Sequence, residues 1–216
     1  MALPSDQDLL ASLLPAWHAL LQDWSASGRL SSAAQEALLL NGEPDPLRSL
    51  VSRWASGDFS DLPPVVLLSA SDISGAMGAY AISTGTIYLN QDWLRTATPD
   101  QANAVLTEEL GHHLDGLLNA VDTPGDEGEV FSTLLVNKSS SSTAQQTVRT
   151  ADDGISITVD GQQITAEGAT VPVIRGKSLY SIVEGPSWIQ AESNAVGLGG
   201  HLASITSAQE NQHVSV

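Results

Sequence analysis

Residues 105–116 read VLTEELGHHLDG, and this stretch carries the most informative polar pattern of the chain. Glu108, His112 and Asp115 follow one another at intervals of four and three residues, so a helix would project all three side chains from one side. Side chains at this spacing can converge on one cation. Glu109 lies beside them, where a general base would hold a metal-bound water. The stretch therefore predicts a helix that carries a candidate metal site.

A second interpretation of the same stretch needs no metal. Apolar residues lie on the opposite side of the helix, at Ala102, Leu106, Leu110, Leu114 and Leu117. A helix on a protein surface shows the same division into a buried apolar stripe and a solvated polar face. Short patterns of this kind also arise by chance. At the level of this helix, a metal site and a solvated polar face are both open.

The composition indicates a globular chain with a strong negative charge. Of the 216 residues, 42% are hydrophobic, and no apolar run approaches the length that spans a membrane. The chain has 25 acidic and 8 basic side chains, so we expect neither nucleic acid nor an anionic membrane as a partner. It contains no cysteine, which excludes disulfides, thiolate metal ligands and cysteine nucleophiles. The acidity is compatible with cation binding and with an extracellular setting.

The two ends of the sequence bear on its localisation. Residues 1–10 lack the basic segment and the long apolar segment of an ordinary secretory signal peptide. Residues 207–216 stop in what reads as the opening of a helix, so we expect this chain to be a fragment of a longer one. An extracellular or cell-surface location is our expectation, with the secretion signal outside this segment.

The periodicity of the apolar residues predicts an α+β fold in four regions. Residues 1–60 repeat leucine and tryptophan at helical spacing and form a helical N-terminal region. Residues 61–150 combine strands with two helices. Residues 151–172 alternate polar and apolar side chains on both sides of Asp160-Gly161, which predicts a β-hairpin linker. Residues 173–216 begin a second module.

Local signals define the elements of residues 61–150. Val65–Leu68 is typical of a strand, and Ala79–Asn90 of a hairpin with its turn in the middle. Thr98 and Gln101 have the spacing of a capping box, which begins the motif helix. Asp122–Leu135 predicts a turn and a second helix with an acidic first turn, as the helix dipole favours.

This order of elements resembles the zincin metallopeptidase fold. The residues that carry the resemblance are Gly78–Asn90 (GAYAISTGTIYLN), Glu108–Asp115 (EELGHHLD) and Gly128–Leu135 (GEVFSTLL). Within the zincins the pattern is most similar to the branch with HExGHxxD followed by ExFA. The resemblance covers about residues 60–137.

The resemblance implies a role for each matching position. His112 would be the second metal ligand, Glu129 the third, and Glu109 the general base. Glu108 stands where the family has its first histidine. A carboxylate there makes the site more anionic and reduces the Lewis acidity of the metal. We therefore expect a divalent metal, zinc or calcium, in a metallopeptidase-like module whose catalytic motif is degenerate, and the alternative is an active zincin peptidase.

Residues 122–129 are also open to two interpretations. Their carboxylates could form a calcium loop, but the spacing of an EF-hand is missing. A turn followed by an acid-rich first helical turn accounts for them without a metal. This helix offers Glu127 as well as Glu129 to the motif helix.

The region from residue 173 contains a second, longer pattern. Its defining residues are Trp188, Ala191, Ala195, Leu198-Gly199-Gly200, Leu202–Ile205 and Glu210-Asn211. This order resembles the N-terminal half of a C-type lectin-like domain, and the lack of cysteine is more similar to its bacterial members. The resemblance implies that these residues are scaffold, with Trp188 in a core, so the ligand-binding residues stay unknown.

Together the two resemblances imply a recognition or adhesion protein. Its lectin-like module would bind carbohydrate or a surface protein, beside a degenerate metallopeptidase-like module. In the alternative, an active zincin peptidase would be directed to its substrates by the lectin-like module.

Overall fold

A computed structural model describes residues 6–136, 154–169, 173–175, 178–180 and isolated positions between 187 and 202. The chain divides into two compact units, Met1–Ala169 and Thr170–Val216. The described architecture is mixed α+β, as the sequence predicts. None of the described helices is long and apolar enough to cross a membrane.

Helices and strands of the first unit follow one another closely. In chain order they are α1 (Asp6–Ala26), α2 (Arg29–Ala37), α3 (Asp45–Ala55), β1 (Val65–Leu68), β2 (Gly78–Ala81), β3 (Thr86–Asn90), α4 (Gln91–Leu94), α5 (Pro99–Leu118), α6 (Glu127–Val136), β4 (Gly154–Val159) and β5 (Gln162–Glu167). The predicted strand, both predicted hairpins and the predicted helices are therefore confirmed. The short α4 is an addition that the sequence pattern does not predict.

The described part of the second unit contains one antiparallel pair, β6 (Val173–Arg175) and β7 (Ser178–Tyr180). Trp188 is 71% exposed. The expectation that this tryptophan lies in a core is therefore wrong for the described structure. Most of the lectin-like pattern lies outside the described residues.

The N-terminal helices pack around tryptophan and leucine side chains. Trp17 of α1 and Trp54 of α3 are fully buried, together with Leu21, Leu30 and Leu47. Burial of such side chains is the main contribution to the stability of a helical layer, because each removes a large apolar area from water. The Trp17 indole N–H also donates to the Thr107 hydroxyl at 3.2 Å, which joins this layer to α5.

Five strands form one mixed sheet in the order β1-β3-β2-β5-β4. β1 and β3 are parallel, and the other neighbours are antiparallel. Every residue of β2 and β3 is buried, since apolar clusters cover both of their faces. Strand β2 therefore lies directly beside α5.

The β4–β5 hairpin extends this sheet within the first unit. Ile157 and Ala166 bury its inner face against a cluster that includes Ala79 and Tyr88. The turn has Asp160 in the left-handed region at φ 51, followed by Gly161, which suits the predicted Asp-Gly turn. The predicted hairpin is thus part of the sheet beside the motif helix.

Helix α5 begins with the predicted capping box. The Thr98 hydroxyl accepts from the Gln101 amide at 3.3 Å, and the Gln101 side chain accepts from the Thr98 amide at 2.9 Å. The helix is buried on nearly every side, including His112 and Asp115. The solvated interpretation of its polar face is therefore wrong. Leu117, predicted in the buried stripe, is 51% exposed.

Candidate functional site

The centre of the candidate site is the imidazole of His112, which is 1% exposed. Its Nδ1 lies 2.8 Å from the Glu127 carboxylate of α6 and 3.2 Å from the Glu167 carboxylate of β5. On the other nitrogen, Asp126 approaches Nε2 at 3.8 Å. Three elements distant in sequence, α5, α6 and β5, therefore meet at one ring.

Close packing between α5 and α6 makes this meeting possible. A Cβ on Gly128 would lie 2.4 Å from the His112 Nε2 and 2.7 Å from the Glu108 carbonyl oxygen. A Cβ on Gly111 would lie 2.7 Å from the Gly128 Cα. Contacts under 3 Å leave no room for a side chain at either position. The two glycines thus allow α6 to bring its first turn against the histidine.

The protonation of His112 follows from its neighbours. Burial acts to lower the pKa of His112, but the hydrogen bonds with Glu127 and Glu167 outweigh it and hold that pKa well above its usual range. Burial raises the pKa of Glu127 in spite of its bond to the histidine. Without a metal, the Nδ1 proton is consequently shared with two carboxylates.

Carboxylates surround this ring on several sides. We define the acidic cluster as His112 with Glu108, Glu109, Asp115, Asp122, Asp126, Glu127, Glu129 and Glu167. Burial raises the pKa of Glu108 well above its usual range, and Asp126 and Glu109 add to the shift. Burial and Asp126 raise the pKa of Glu129 to about 7. Burial and nearby carboxylates, Glu167 first, raise the pKa of Asp122 to about 6.

The arginines of the chain do not offset this charge where their side chains are described. Their contacts are Arg29 to the Leu135 carbonyl, Arg48 to Glu43 and Asp45, Arg53 to Asp61, and Arg95 to Asp92. All of these partners lie outside the acidic cluster. Buried negative charge of this density calls for protons or for a bound cation.

Two groups of donors among the described residues are close enough to hold a metal ion. One consists of His112, Glu127 and Glu167, and the other of Asp115, Asp122 and Glu127. The donor atoms within each group lie within 4.8 Å of one another. Buried acidic and histidine groups that could hold a metal are thus present.

The predicted ligands are distributed unevenly over these groups. His112 and Asp115 belong to one group each, whereas Glu108 and Glu129 belong to neither. Glu108 and Glu129 are part-buried, and their raised pKa values show that the acidic cluster disfavours further negative charge. Glu127, which the sequence offers beside Glu129, makes the direct contact with the histidine.

Asp115 has a structural role that its hydrogen bonds define. It accepts from the Thr123 amide at 3.1 Å, from the Thr123 hydroxyl at 2.5 Å and from the Asn119 side chain at 2.7 Å. Both partners lie in the turn between α5 and α6. The Asp115 carboxylate therefore holds this turn in place, and the turn positions Glu127.

Glu109, the predicted general base, lies between α5 and the sheet. It is fully buried, and its Oε1 accepts from the Ala169 amide at 3.2 Å. A Cβ on Gly78 would lie 2.6 Å from the same oxygen. One carboxylate oxygen thus already bonds to the main chain beside β2.

Sequence patterns did not reveal Glu167. It ends a short hairpin strand, and the alternation of that strand carries no sign of a partner on a distant helix. The Tyr80–His113 pair was missed for the same reason, with the tyrosine hydroxyl 3.1 Å from the His113 Nδ1. Burial lowers the pKa of His113, which makes it the neutral neighbour of a charged histidine.

Comparisons with family models, curated proteins and solved structures each found no match to this chain. The chemistry of the site is therefore indicated by its own donor atoms. An imidazole nitrogen with carboxylate oxygens is a donor set that divalent metals of the first transition row accept. The residues present fit such an ion.

Proposed function

We propose that the first unit is a divalent-cation-binding module centred on His112, Glu127 and Glu167. One observation carries this proposal: two carboxylates from different elements approach the same buried nitrogen, at 2.8 Å and 3.2 Å. Without a metal, that place holds a shared proton. A cation there would replace the proton and offset more of the cluster's negative charge.

The donor types favour zinc or manganese over calcium. Calcium takes six to eight oxygen ligands, and an imidazole nitrogen is not among its preferred donors. Zinc accepts histidine and glutamate together. We therefore propose that the site binds zinc most tightly, manganese less tightly and calcium most weakly.

Titration of chelator-stripped protein tests this order. Isothermal titration with zinc, manganese and calcium chloride should give a single zinc site and weak or no calcium binding. Glu127→Gln and Glu167→Gln should each weaken zinc binding by about tenfold or more, because each removes an anionic ligand. Asp160→Asn is the matched control, since it removes one charge from an exposed turn and asparagine tolerates the left-handed backbone. Less than a tenth of an equivalent of bound zinc would contradict the proposal.

The scaffold of this module is, in our proposal, zincin-like. Support comes from the order of strand, hairpin, capped motif helix and second acidic helix, together with the motif residues. The position of Glu108 suggests a simple test, since the family has histidine there. Glu108→His should raise zinc affinity if the inherited architecture is intact, and unchanged affinity would count against the resemblance.

Binding is favoured over peptide hydrolysis by the environment of Glu109. A general base must reach a metal-bound water, whereas an oxygen of Glu109 bonds to the Ala169 amide. Zinc-loaded protein should therefore not cleave casein above the rate of Glu109→Gln. Cleavage that this substitution abolishes would establish the alternative, an active peptidase.

For the whole chain we propose a role in extracellular recognition or adhesion. Support comes from the C-type-lectin-like pattern of residues 173–216 and from the acidic, cysteine-free composition. The proposed partner is a carbohydrate or a surface protein. A glycan array probed with the 216-residue chain, with and without calcium, tests the first, and a binding assay with cell-surface protein extracts tests the second. Failure in both would remove the proposal.

A further inference from the structure

We propose that Glu167–Ala169 forms a cation-controlled strap, which a bound cation holds against β2 and which loosens when the cation is removed. The inference rests on the proposed function, because Glu167 is one of the proposed ligands. It adds a conformational consequence: occupancy of the site governs how firmly the last residues of the first unit are docked.

The strap is attached to β2 by few main-chain contacts. A single residue pair, Tyr80 with Glu167, joins β2 to β5, whereas β4 and β5 share a continuous register from Gly154 to Glu167. Beyond that pair, the Met77 amide donates to the Ala169 carbonyl at 3.2 Å, and the Ala169 amide donates to the Gly78 carbonyl at 3.1 Å. Pairing as short as this opens at lower cost than a continuous ladder of strand pairs.

Side chains connect the strap to the acidic cluster at two points. The Glu167 carboxylate reaches the His112 Nδ1 at 3.2 Å, and the Ala169 amide also lies 3.2 Å from the Glu109 Oε1. Gly168 lies between Glu167 and Ala169 and packs closely against β4, since a Cβ there would lie 2.4 Å from the Ile155 Cδ1. Three consecutive residues therefore pair with β2 and its flanking residues and contribute a proposed ligand at the same time.

Charge decides how strongly the strap is held. Without a cation, the Glu167 carboxylate is attracted to the proton on His112 and repelled by the like charges of Glu127 and Asp122. A divalent cation bound between His112, Glu127 and Glu167 would replace that proton with two positive charges and so strengthen the attraction. The hairpin itself stays anchored elsewhere, because the Thr158 amide donates to the Asp72 carbonyl at 2.7 Å. Loosening is consequently confined to the strap.

Thermodynamic linkage gives the expected size of the effect. A ligand that binds only the docked state raises the ratio of docked to open strap by about 100-fold when its concentration is 100 times its dissociation constant. The apparent dissociation constant of the cation rises in inverse proportion to the docked fraction, so a substitution that leaves the strap mostly open must weaken cation binding.

Amide hydrogen exchange measured by NMR, with zinc as the probe, tests the inference. Zinc should raise the protection of the Met77 and Ala169 amides at least tenfold and leave the Ile87 amide, which donates to Pro64 in another part of the sheet, unchanged. In Glu167→Gln the zinc-dependent gain at Met77 should disappear. In the control Asp160→Asn it should persist.

A second variant tests the strap without altering a ligand. At Gly168 a Cβ would lie 2.4, 3.0 and 3.4 Å from the Cδ1, Cγ1 and Cγ2 of Ile155, so movement of the side-chain tip alone does not make room. Gly168→Val should therefore open the strap, and zinc affinity should fall at least tenfold. Intact exchange protection at Ile87 would show that the rest of the sheet is folded. Zinc binding without any change in protection at Met77 and Ala169 would overturn the strap and leave the proposed function standing. Absence of zinc binding in the titration would overturn the proposed function and the strap together.

Discussion

Helix α5 buries two opposite sides, one apolar and one acidic. On the apolar side Leu106 and Leu110 are fully buried in the main core, and on the other side His112 and Asp115 are almost as deeply buried. Apolar groups need no partner inside a protein, whereas buried polar groups need hydrogen bonds or opposite charge. The two sides of α5 therefore differ in what their burial requires, since only the polar groups need compensation.

On the acidic side, two buried polar groups are compensated in different ways. Three hydrogen bonds to Thr123 and Asn119 satisfy Asp115 within its own turn. His112 instead shares a proton with two carboxylates that lie among further acids. A carboxylate whose hydrogen bonds are complete has a structural role. Cation binding is most favourable where an excess of negative charge surrounds a single proton.

The largest expected loss comes from the apolar side. Leu110→Ala should lower the free energy of unfolding by about 2–5 kcal/mol, because it leaves a cavity in a fully buried position. Leu117→Ala on the same helix is the matched control and should cost less than about 1 kcal/mol, since Leu117 is exposed. Urea denaturation followed by circular dichroism measures both. Equal losses would mean that the burial of the two leucines is assigned incorrectly.

A smaller loss is expected where the two helices touch. Gly128→Ala should cost about 1–3 kcal/mol, because the new Cβ would meet the His112 ring and the Glu108 carbonyl. Gly116→Ala on α5 is its control. There the nearest atom is the tip of the exposed Ile82 side chain, which can move, and alanine favours the helix. Thermal unfolding should therefore show destabilisation for the first and little change or a gain for the second.

Substitutions of Asp115 test whether its carboxylate has a structural role or belongs to the cation site. Asp115→Ala should cost about 1–3 kcal/mol, because the Thr123 amide and hydroxyl lose their acceptor. Asp115→Asn keeps an acceptor oxygen and should cost less. Zinc titration of the asparagine variant should give an affinity close to that of the parent chain. A loss as large as that of Glu167→Gln would instead assign Asp115 to the cation site.

The smallest expected effect compares two histidines. His18 stacks on Phe59 with ring centroids 4.5 Å apart, and burial lowers its pKa below the ordinary 6.5. Its contribution to stability is therefore present above pH 6.5 and is lost as the pH falls below that value. The pKa of His112 is raised, so its contribution is complete below pH 6.5 and is lost as the pH rises through the raised value.

Urea midpoints at pH 7.5 and pH 5 measure this contrast. The advantage of the parent chain over His18→Gln should be greater at pH 7.5, and the advantage over His112→Gln should be greater at pH 5, without zinc present. The same sign for both histidines would contradict the assignment of their surroundings.

Much of the fold was predictable because its signals are local. The capping box at Thr98 and Gln101, the Asp-Gly turn at residues 160–161 and the alternation of β4 and β5 each depend on residues a few positions apart. The candidate site was predictable only in part. His112 and Glu127 lie on helices that the sequence defines, but the contribution of Glu167 depends on where a distant hairpin docks.

The sequence by itself determined the elements and the line of polar side chains on α5, because helical periodicity and capping act within a few residues. Only the tertiary structure decided that this line is buried, that α6 presents Glu127 through the close contact at Gly128, and that β5 brings Glu167 to the same nitrogen. The physical reason is that burial and charge compensation depend on all the groups around a side chain. Those groups come from elements whose separation in sequence carries no information about their distance in space.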